Sequence, residues 1–287
     1  MPVELSYFQA VVLGIVEGLT EFLPISSTGH LTIAEQLLGL PVDAPAVTAY
    51  TAIIQVGAIA ATFLYFAKKI ARLFRAWVRG LRSEAARADR DYTLAWAVII
   101  GSLPVGVVGF LARDIISGPL RSLWVVAAAL VLWSVVIWVA EQRHDVLERE
   151  GIHRDEHSIT VKDGLVIGLV QCFSLIPGVS RSGATISAGL MRGINRVTAT
   201  ELSFFMAIPA LTAAGVFELA RGTEDVLALG VGQMLVGIAV AFITAYASIA
   251  WLLRFVATNS LRPFIWYRVA LGLLLAVALS AGWVTAT

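Results

Sequence analysis

The sequence predicts an all-α polytopic membrane protein with six full transmembrane helices, two re-entrant helical hairpins and an inverted-topology repeat. Of its 287 residues, 58% are hydrophobic and only 14% are charged, whereas soluble domains are about a quarter charged. Apolar runs of membrane-crossing length recur along the chain, and two further runs are each interrupted by proline near the middle. Together these observations exclude an ordinary soluble protein.

Six apolar runs are long enough to cross a bilayer, which requires about 20 residues of helix. They lie near 46–67, 93–113, 121–141, 198–220, 230–253 and 264–284. No connection between them is long enough to form a soluble domain, so we expect residues 1–287 to form a single transmembrane domain. The single cysteine, Cys172, excludes a disulfide framework.

The two interrupted runs, hairpin one (4–40) and hairpin two (163–194), are broken by Pro24 and by Pro177-Gly178. A break leaves backbone groups unpaired, which is tolerated at membrane depth only where the backbone lines a cavity within the protein. We therefore expect two re-entrant hairpins, each with one half-helix entering and one returning. Two additional kinked spans are the alternative.

The two hairpins also resemble each other. Aligning Ser26 with Ser180 without gaps brings the sequences SSTG and SRSG into register. Each hairpin precedes three predicted spans, and because three is odd the second copy must enter from the opposite face. We therefore predict an inverted repeat with halves at 1–145 and 160–287, whose half-helix ends meet near the membrane midplane.

The distribution of Lys and Arg predicts the orientation in the membrane. The connection 68–90 contains eight Lys and Arg residues and only two acidic residues, Glu84 and Asp89, so we expect it to be cytoplasmic. Counting spans from there puts hairpin one and both termini outside and opens hairpin two to the cytoplasm. Small residues on several spans would also allow a homodimer.

Glu17 and Glu21 are the most informative side chains, because ionisable groups inside apolar segments are costly and often functional. They are one helical turn apart, so both carboxylates face one way. Two roles are open: ligands for a divalent cation, Mg²⁺ or Ca²⁺, or groups that orient and deprotonate a Ser/His pair. The structural alternative is a carboxylate paired with Arg181 or with a backbone end.

Each break is followed by a new helix start, whose free N–H groups and partial positive charge bind phosphate well. Arg181 at the second start adds a guanidinium that can hold two phosphate oxygens at once. The other candidate phosphate-binding residues share a hydroxyl group and are Ser26, Thr28, Ser180, Ser182 and Thr185. Helix capping is the alternative role for the serines.

Ser27 and His30 complete a set of groups suited to phosphoryl transfer. Ser27 supplies a hydroxyl nucleophile, and His30, one turn further along the helix, is placed to act as its base. The spacing leaves two other readings open: His30 as the nucleophile itself, or as a structural histidine bonded to a backbone carbonyl.

The remaining polar residues carry weaker predictions. Arg196 and Glu201 flank the start of a span and could form an ion pair or cap a loop. We expect three histidines to lie in a solvated loop, because their spacing does not match a metal site: His144, His153 and His157. The chain contains no nucleotide-binding Gly-rich loop and no pattern typical of nucleic-acid binding.

Two stretches, EGLTEFLPISSTGH at 17–30 and PGVSRSGAT at 177–185, resemble the signature motifs of the bacterial undecaprenyl-diphosphate phosphatase family, also called the bacitracin-resistance family. The segment ELSFFMAIP at 201–209 is similar as well, and the resemblance covers the whole chain. It implies a bacterial inner-membrane enzyme, open to the periplasm, that removes the terminal phosphate of undecaprenyl diphosphate and so recycles the lipid carrier of peptidoglycan synthesis. The active-site residues it implies are Glu17, Glu21, Ser27, His30 and Arg181.

A polyprenyl-phosphate flippase or an ion-coupled secondary transporter is the alternative function. Inverted repeats with broken helices at the midplane are typical of transporters. A carrier needs a binding site but no nucleophile. The hydroxyl of Ser27, close in sequence to His30 and two carboxylates, therefore favours the phosphatase.

Overall fold

The protein is an assembly of α-helices, seen in a computed structural model that describes residues 5–42, 44–117, 120, 122–221 and 230–286. The first half contains α1 (Tyr7–Thr20), α2 (Ser27–Leu37), α3 (Pro45–Tyr65), α4 (Ala67–Arg82), α5 (Arg90–Leu111), α6 (Arg113–Ser117) and α7 (Leu123–Arg149). The second half contains α8 (Val161–Gln171), α9 (Arg181–Met191), α10 (Arg196–Arg221), α11 (Val231–Val256) and α12 (Arg262–Ser280). The all-α prediction is confirmed.

Six of the described helices are long and apolar enough to cross a membrane: α3, α5, α7, α10, α11 and α12. They coincide with the six predicted spans, which confirms a multi-pass membrane protein. The helix ends differ most at α7, which continues to Arg149, beyond the predicted end at residue 141.

The extension of α7 corrects the prediction for His144. This histidine lies in the helix and is only 5% exposed, not in a solvated loop. The helix continues past its apolar part because its acidic residues have partners on other helices. Arg196 at the start of α10 bonds to Glu141 at 2.6 Å, and Arg262 at the start of α12 bonds to Asp145 at 2.7 Å.

The two interrupted runs form pairs of short helices, broken where the prolines predicted. Helices α1 and α2 contain 14 and 11 residues, and α8 and α9 contain 11 each. All four are shorter than the roughly 20 residues that a membrane crossing requires. The two helices of each pair pack against each other. That both pairs are re-entrant, and that the two halves are inverted, stay predictions.

Each hairpin packs on a span from the other half of the chain. Helix α1 lies along α11, and α8 lies along α5. Glycines permit both contacts at the same aligned position: a Cβ on Gly14 would meet the carbonyl oxygen of Gly237, and one on Gly168 would meet that of Gly101. Close approach of backbones through small residues is the usual way in which helices associate in membranes. This exchange of partners is what a two-fold repeat would produce.

The break in hairpin one is anchored on α10 by aromatic packing. Phe22 is fully buried and meets Phe204 edge to face, with the ring centroids 5.1 Å apart. Gly178 in the other break lies against Val126 of α7, and Arg268 on α12 donates to the Gly178 carbonyl oxygen. The breaks of both hairpins therefore lie among α7, α10 and α12.

Ion pairs connect helices at the end of the bundle that carries α4. Lys69 bonds to Glu156 and, at 2.6 Å, to Glu201. Arg196 bonds to Glu141 instead of Glu201, so the suggested ion pair between Arg196 and Glu201 is wrong. Arg196 joins α10 to α7, and Glu201 joins α10 to α4. Both roles are structural.

Candidate active site

The helix restart after each break has the same local geometry in both hairpins. Ser26 and Ser180 have positive φ values of 75° and 78°, which side-chain-bearing residues rarely adopt. Each hydroxyl then accepts the N–H of the residue three positions on: Gly29 at 3.4 Å and Gly183 at 3.2 Å. These are N-cap bonds, so both predicted helix starts are present, and both serines cap them.

The two breaks meet, although they lie far apart along the chain. The Ser26 hydroxyl also accepts the N–H of Gly178 at 3.2 Å. In the other direction, the Ser182 hydroxyl donates to the carbonyl oxygen of Leu23 at 2.9 Å. The two helix N-termini that follow the breaks are consequently held side by side.

Arg181 bridges from hairpin two to hairpin one. Its Nη2 lies 3.2 Å from Oε1 of Glu21 and 3.3 Å from the Glu21 carbonyl oxygen. Its Nη1 donates to the carbonyl oxygen of Ser203 on α10 at 2.9 Å. Its Nε is buried without a hydrogen-bond partner in the described part of the chain. One donor of this guanidinium thus stays available to another group.

Ser27 bonds to the same carboxylate that Arg181 contacts. Its Oγ donates to Oε2 of Glu21 at 2.6 Å, a short distance typical of a hydroxyl bonded to a charged acceptor. Glu21 therefore uses one oxygen for the guanidinium and the other for the hydroxyl. Sequence spacing predicted that His30 would be the partner of Ser27, but the hydroxyl is bonded to Glu21 instead.

Both ring nitrogens of His30 have other partners. Nδ1 lies 2.7 Å from the carbonyl oxygen of Ser26, and Nε2 lies 2.7 Å from the hydroxyl of Tyr267 on α12. A carbonyl only accepts, so we assign the ring proton to Nδ1, and the Tyr267 hydroxyl then donates to Nε2. The two rings are also stacked, with an interplanar angle of 10°. Both ring nitrogens of His30 are thereby occupied by partners within the protein.

Glu17 lies behind this group and is only 1% exposed. Its carboxylate interacts electrostatically with Glu21 and Arg181. Its Oε1 has no hydrogen-bond partner among the residues that the structure describes, although a buried charged oxygen is costly to leave unpaired. Oε1 of Glu17 is therefore an acceptor that a cation or a proton would stabilise.

A divalent cation fits this donor set only with help from a substrate. No group of three or more His, Cys, Asp or Glu residues within the described ranges could hold a metal ion. Mg²⁺, however, commonly binds to one or two carboxylates and completes its shell with substrate phosphates and water. The free oxygen of Glu17, beside Glu21, matches that mode of binding.

The other candidate phosphate-binding hydroxyl groups are of two kinds: some form hydrogen bonds within the protein, and one is exposed. The hydroxyls of Ser180 and Ser182 lie 3.1 Å apart, and Thr185 donates to the hydroxyl of Ser203 at 2.7 Å. The side chain of Thr28, in contrast, is exposed at the start of α2. Ser26, Ser180, Ser182 and Thr185 thus shape the site, whereas Ser27 and Thr28 face open positions at a helix N-terminus.

Sequence reasoning missed Arg268, the largest fully buried side chain. Its Nη1 donates to the carbonyl oxygen of Pro24 at 3.1 Å and its Nη2 to that of Gly178 at 2.9 Å. Its Nε donates to the hydroxyl of Ser134 at 3.3 Å. One cation therefore holds both breaks through their carbonyl groups. The signal was available, because an arginine inside an apolar span is as unusual as Glu17.

Tyr267 and Ser203 were also missed, for a different reason. A tyrosine near the end of a span and a serine in a helix are common, and neither carries a local signal. Only their contacts with His30 and Arg181 identify them.

Comparison with known proteins gives consistent matches over nearly the whole chain. The family model described as bacitracin resistance protein BacA matches residues 10–274. Undecaprenyl-diphosphatase of Acidothermus cellulolyticus is 53% identical over 279 residues, which cover 96% of this chain and 98% of that protein. Undecaprenyl-diphosphatase of Cutibacterium acnes is 49% identical over 290 residues, covering 98% and 100%. Undecaprenyl-diphosphatase 1 of Streptomyces coelicolor is 51% identical over 282 residues, covering 97% and 98%.

Proposed function

We propose that this chain, which belongs to the bacitracin resistance protein family, hydrolyses undecaprenyl diphosphate to undecaprenyl phosphate and inorganic phosphate. The names of its relatives support this substrate. The observation that carries the chemistry is the hydrogen bond of 2.6 Å from Ser27 Oγ to Glu21 Oε2, with Arg181 on the other oxygen of Glu21. Recycling this lipid carrier serves peptidoglycan synthesis and accords with the family's name.

In the first step, Ser27 attacks the terminal phosphorus. The bond from Ser27 Oγ to phosphorus forms, the bond from phosphorus to the bridging oxygen breaks, and undecaprenyl phosphate leaves. The hydroxyl proton passes along its hydrogen bond to Glu21, which acts as the general base. Glu21 takes the role that the sequence suggested for His30, because the hydroxyl is bonded to the carboxylate.

Positive groups surround the phosphates at this step. Arg181 has an unpartnered Nε and, once Glu21 is protonated, a weaker hold on that carboxylate. The capping serines take the N–H groups of Gly29 and Gly183, which leaves the first two N–H groups of α2 and of α9 to favour an anion. Stabilising charge that develops in the transition state is commonly the largest catalytic contribution.

In the second step, a water oxygen attacks the phosphorus carried by Ser27, and the bond from phosphorus to Ser27 Oγ breaks. The proton held by Glu21 returns to Ser27 Oγ, and the water's oxygen and both of its protons leave with the phosphorus as H2PO4⁻. Glu17 and Glu21 would hold Mg²⁺ or Ca²⁺, which would supply positive charge that neutralises the phosphates and offsets the repulsion between the two carboxylates. His30, fixed by Ser26 and Tyr267, is a hydrogen-bonding group at the start of the same helix as Ser27.

The protein would lie in the bacterial plasma membrane, with its site reached from the outer, periplasmic side. The basic connection at 68–90 supports this orientation, since positively charged loops are retained in the cytoplasm. The diphosphate head would enter the polar site while the prenyl tail stays among the spans.

Phosphate release in detergent tests the activity, because a carrier cannot carry out net transport without two compartments. Purified protein would receive undecaprenyl diphosphate labelled with ³²P at the terminal phosphate. We expect release by the wild type and by Thr32→Ala, a control on α2, but not by Ser27→Ala. Absence of release from the wild type would favour a flippase or transporter.

The nucleophile is tested by quenching the same reaction and measuring label on the protein. We expect labelled protein from the wild type and none from Ser27→Ala. Label that persists in Ser27→Ala but is lost in His30→Ala would assign the nucleophile to His30 instead.

A further inference from the structure

Helix α4 carries a row of basic side chains that have no acidic partner among the described residues. Lys68, Arg75 and Arg82 are seven residues apart, about two helical turns, so they follow one face of the helix. All three are exposed, and none forms an ion pair with a described residue. We call this set the basic stripe.

The other cations of α4 behave differently. Lys69 bonds to Glu156 and Glu201, and Arg72 bonds to Asp91 at 3.0 Å. Arg79 bonds to Asp89 at 3.2 Å. The fold thus pairs these three cations with carboxylates and leaves the basic stripe without an acidic partner among the described residues. Arg72 and Arg79 follow Lys68 and Arg75 by four residues and so border the stripe.

Large apolar side chains lie beside the basic stripe. Phe74 is 61% exposed and Leu81 is 48% exposed, also seven residues apart. The opposite face packs on α5, where Gly80 lies against the ring of Tyr92. The outward face of α4 is therefore amphipathic, with an apolar row and a basic row side by side.

A surface cleft runs along this face. It has a volume of about 460 Å³ and is lined by Arg72, Phe74, Arg75, Val78 and Arg79. Arg72 and Arg79 are paired with carboxylates, so Arg75 is the stripe cation in this lining, and its guanidinium can hold two phosphate oxygens at once. The adjoining phenyl ring of Phe74 can contact a glycerol or acyl group. The lining is suited to an anionic group that is attached to an apolar chain.

We propose that this face of α4 binds the headgroups of anionic phospholipids in the leaflet next to it. Only Phe66 separates α4 from the membrane-crossing helix α3, so the helix begins at the edge of the apolar region. Helices with a basic row beside exposed aromatic and aliphatic side chains lie in the membrane interface. Charge complementarity selects an anionic lipid over a zwitterionic one.

The charges of the basic stripe determine the size of the expected effect. Each Lys or Arg near an anionic membrane surface strengthens binding by several-fold, so removing three should weaken it by about a hundredfold. The attraction is also screened by salt. Raising the salt concentration from about 50 mM to about 500 mM shortens the Debye length severalfold. The affinity for an anionic lipid should therefore be lower at the higher salt concentration.

The test uses the full chain, purified and delipidated in detergent, with bound lipids counted by native mass spectrometry. Phosphatidylglycerol and phosphatidylcholine would be titrated into the wild type and into the triple variant Lys68→Gln, Arg75→Gln, Arg82→Gln. The matched control removes three exposed positive charges elsewhere: Arg143→Gln, Arg149→Gln and Arg254→Gln. A second variant exchanges the stripe cations for each other: Lys68→Arg, Arg75→Lys and Arg82→Lys.

We expect the wild type, the control and the exchange variant to prefer phosphatidylglycerol, and the glutamine triple variant to lose that preference. Equal binding of both lipids by the wild type would overturn the proposal, as would salt-insensitive binding. Equal losses in the triple variant and the control would do the same. If the triple variant instead converts a dimer to a monomer without changing lipid binding, the face pairs with a second copy and the proposal is wrong.

Discussion

The hydroxyl of Tyr267 lies 2.7 Å from Nε2 of His30, and the two rings are stacked with their centroids 5.6 Å apart. This contact joins the last described helix to the first turn of α2. Together with the bond from His30 Nδ1 to the carbonyl oxygen of Ser26, it determines the tautomer and the orientation of the imidazole. His30 therefore depends on a residue more than 200 positions away.

Replacing Tyr267 by Phe should preserve the stack and remove the hydroxyl. Loss of one neutral hydrogen bond corresponds to about 1 kcal/mol, or about fivefold, so we expect kcat to fall by about that factor with little change in KM. Tyr246→Phe, a second half-exposed tyrosine, is the control. If Tyr267 acts through His30, the change should have no effect in a His30→Ala background; losses that add would contradict this.

Replacing Glu21 by Gln should remove the base for Ser27 while retaining shape. General base catalysis contributes about 10²–10⁴ in rate, so we expect a loss of that size in the rate of phosphoserine formation, measured by rapid quench. Glu150→Gln, which changes an exposed carboxylate on the protein surface, should leave the rate unaltered. Normal formation of phosphoserine in Glu21→Gln would contradict the assignment.

Replacing Arg181 by Lys should retain the charge but lose the planar fork that reaches Glu21 and Ser203 together. Loss of a comparable transition-state donor costs about 10²–10³ in rate. We expect kcat/KM for phosphate release to decrease by that factor. The control is Arg143→Lys, an exposed position on α7. An unchanged kcat/KM would show that the fork is not required.

Replacing Arg268 by Met should loosen both breaks at once. The carbonyl groups of Pro24 and Gly178 would remain buried without their donor, and each unsatisfied group costs about 1–3 kcal/mol. We expect the free energy of unfolding to fall by about 3 kcal/mol, measured by denaturation in detergent. Arg254→Met on the exposed face of α11 is the matched control. Equal stability of the two variants would contradict the role of Arg268.

Acidification should weaken the contact between α4 and the turn at Glu156–Ser158. Partial burial raises the pKa of Glu156, but hydrogen bonds and charges from Lys69 and Arg72 outweigh burial and lower that pKa overall. A carboxyl whose pKa is lowered by folding stabilises the protein above its unfolded pKa. That contribution is lost as the pH falls through the lowered value.

The corresponding measurement compares the wild type with Glu156→Gln in thermal melts from about pH 7 down to about pH 3, a range that extends below the ordinary glutamate pKa of about 4.3. We expect the variant to melt lower at neutral pH and the difference to shrink on acidification. A difference that grows on acidification would contradict the ion pair as its source.

The helix breaks, the capping serines and the six spans could all be predicted, because each follows from neighbouring residues. A proline, a glycine or a hydroxyl acts on backbone within a few positions, and apolar length reports membrane crossing directly. The six spans were confirmed on this basis. His144 was assigned wrongly because partners on α10 and α12 extended α7 beyond its apolar part.

The pairing of side chains inside the site could not be predicted in the same way. Spacing along α2 favoured a contact between Ser27 and His30, but a rotamer is selected by every group within reach, including groups on other helices. The Ser27 hydroxyl is bonded to Glu21, and the His30 imidazole is bonded to Tyr267. Neither preference is visible within a short window of sequence.

Residue order thus specified which segments cross the membrane, where two of them break and which reactive groups the breaks carry, since these features depend on local backbone preference and on transfer from water to lipid. Tertiary packing decided which carboxylate serves which hydroxyl and how Arg268 holds both breaks together. Those choices depend on distances between helices, and the distances arise only when close backbone contacts, such as that of Gly14 with Gly237, bring the two halves together.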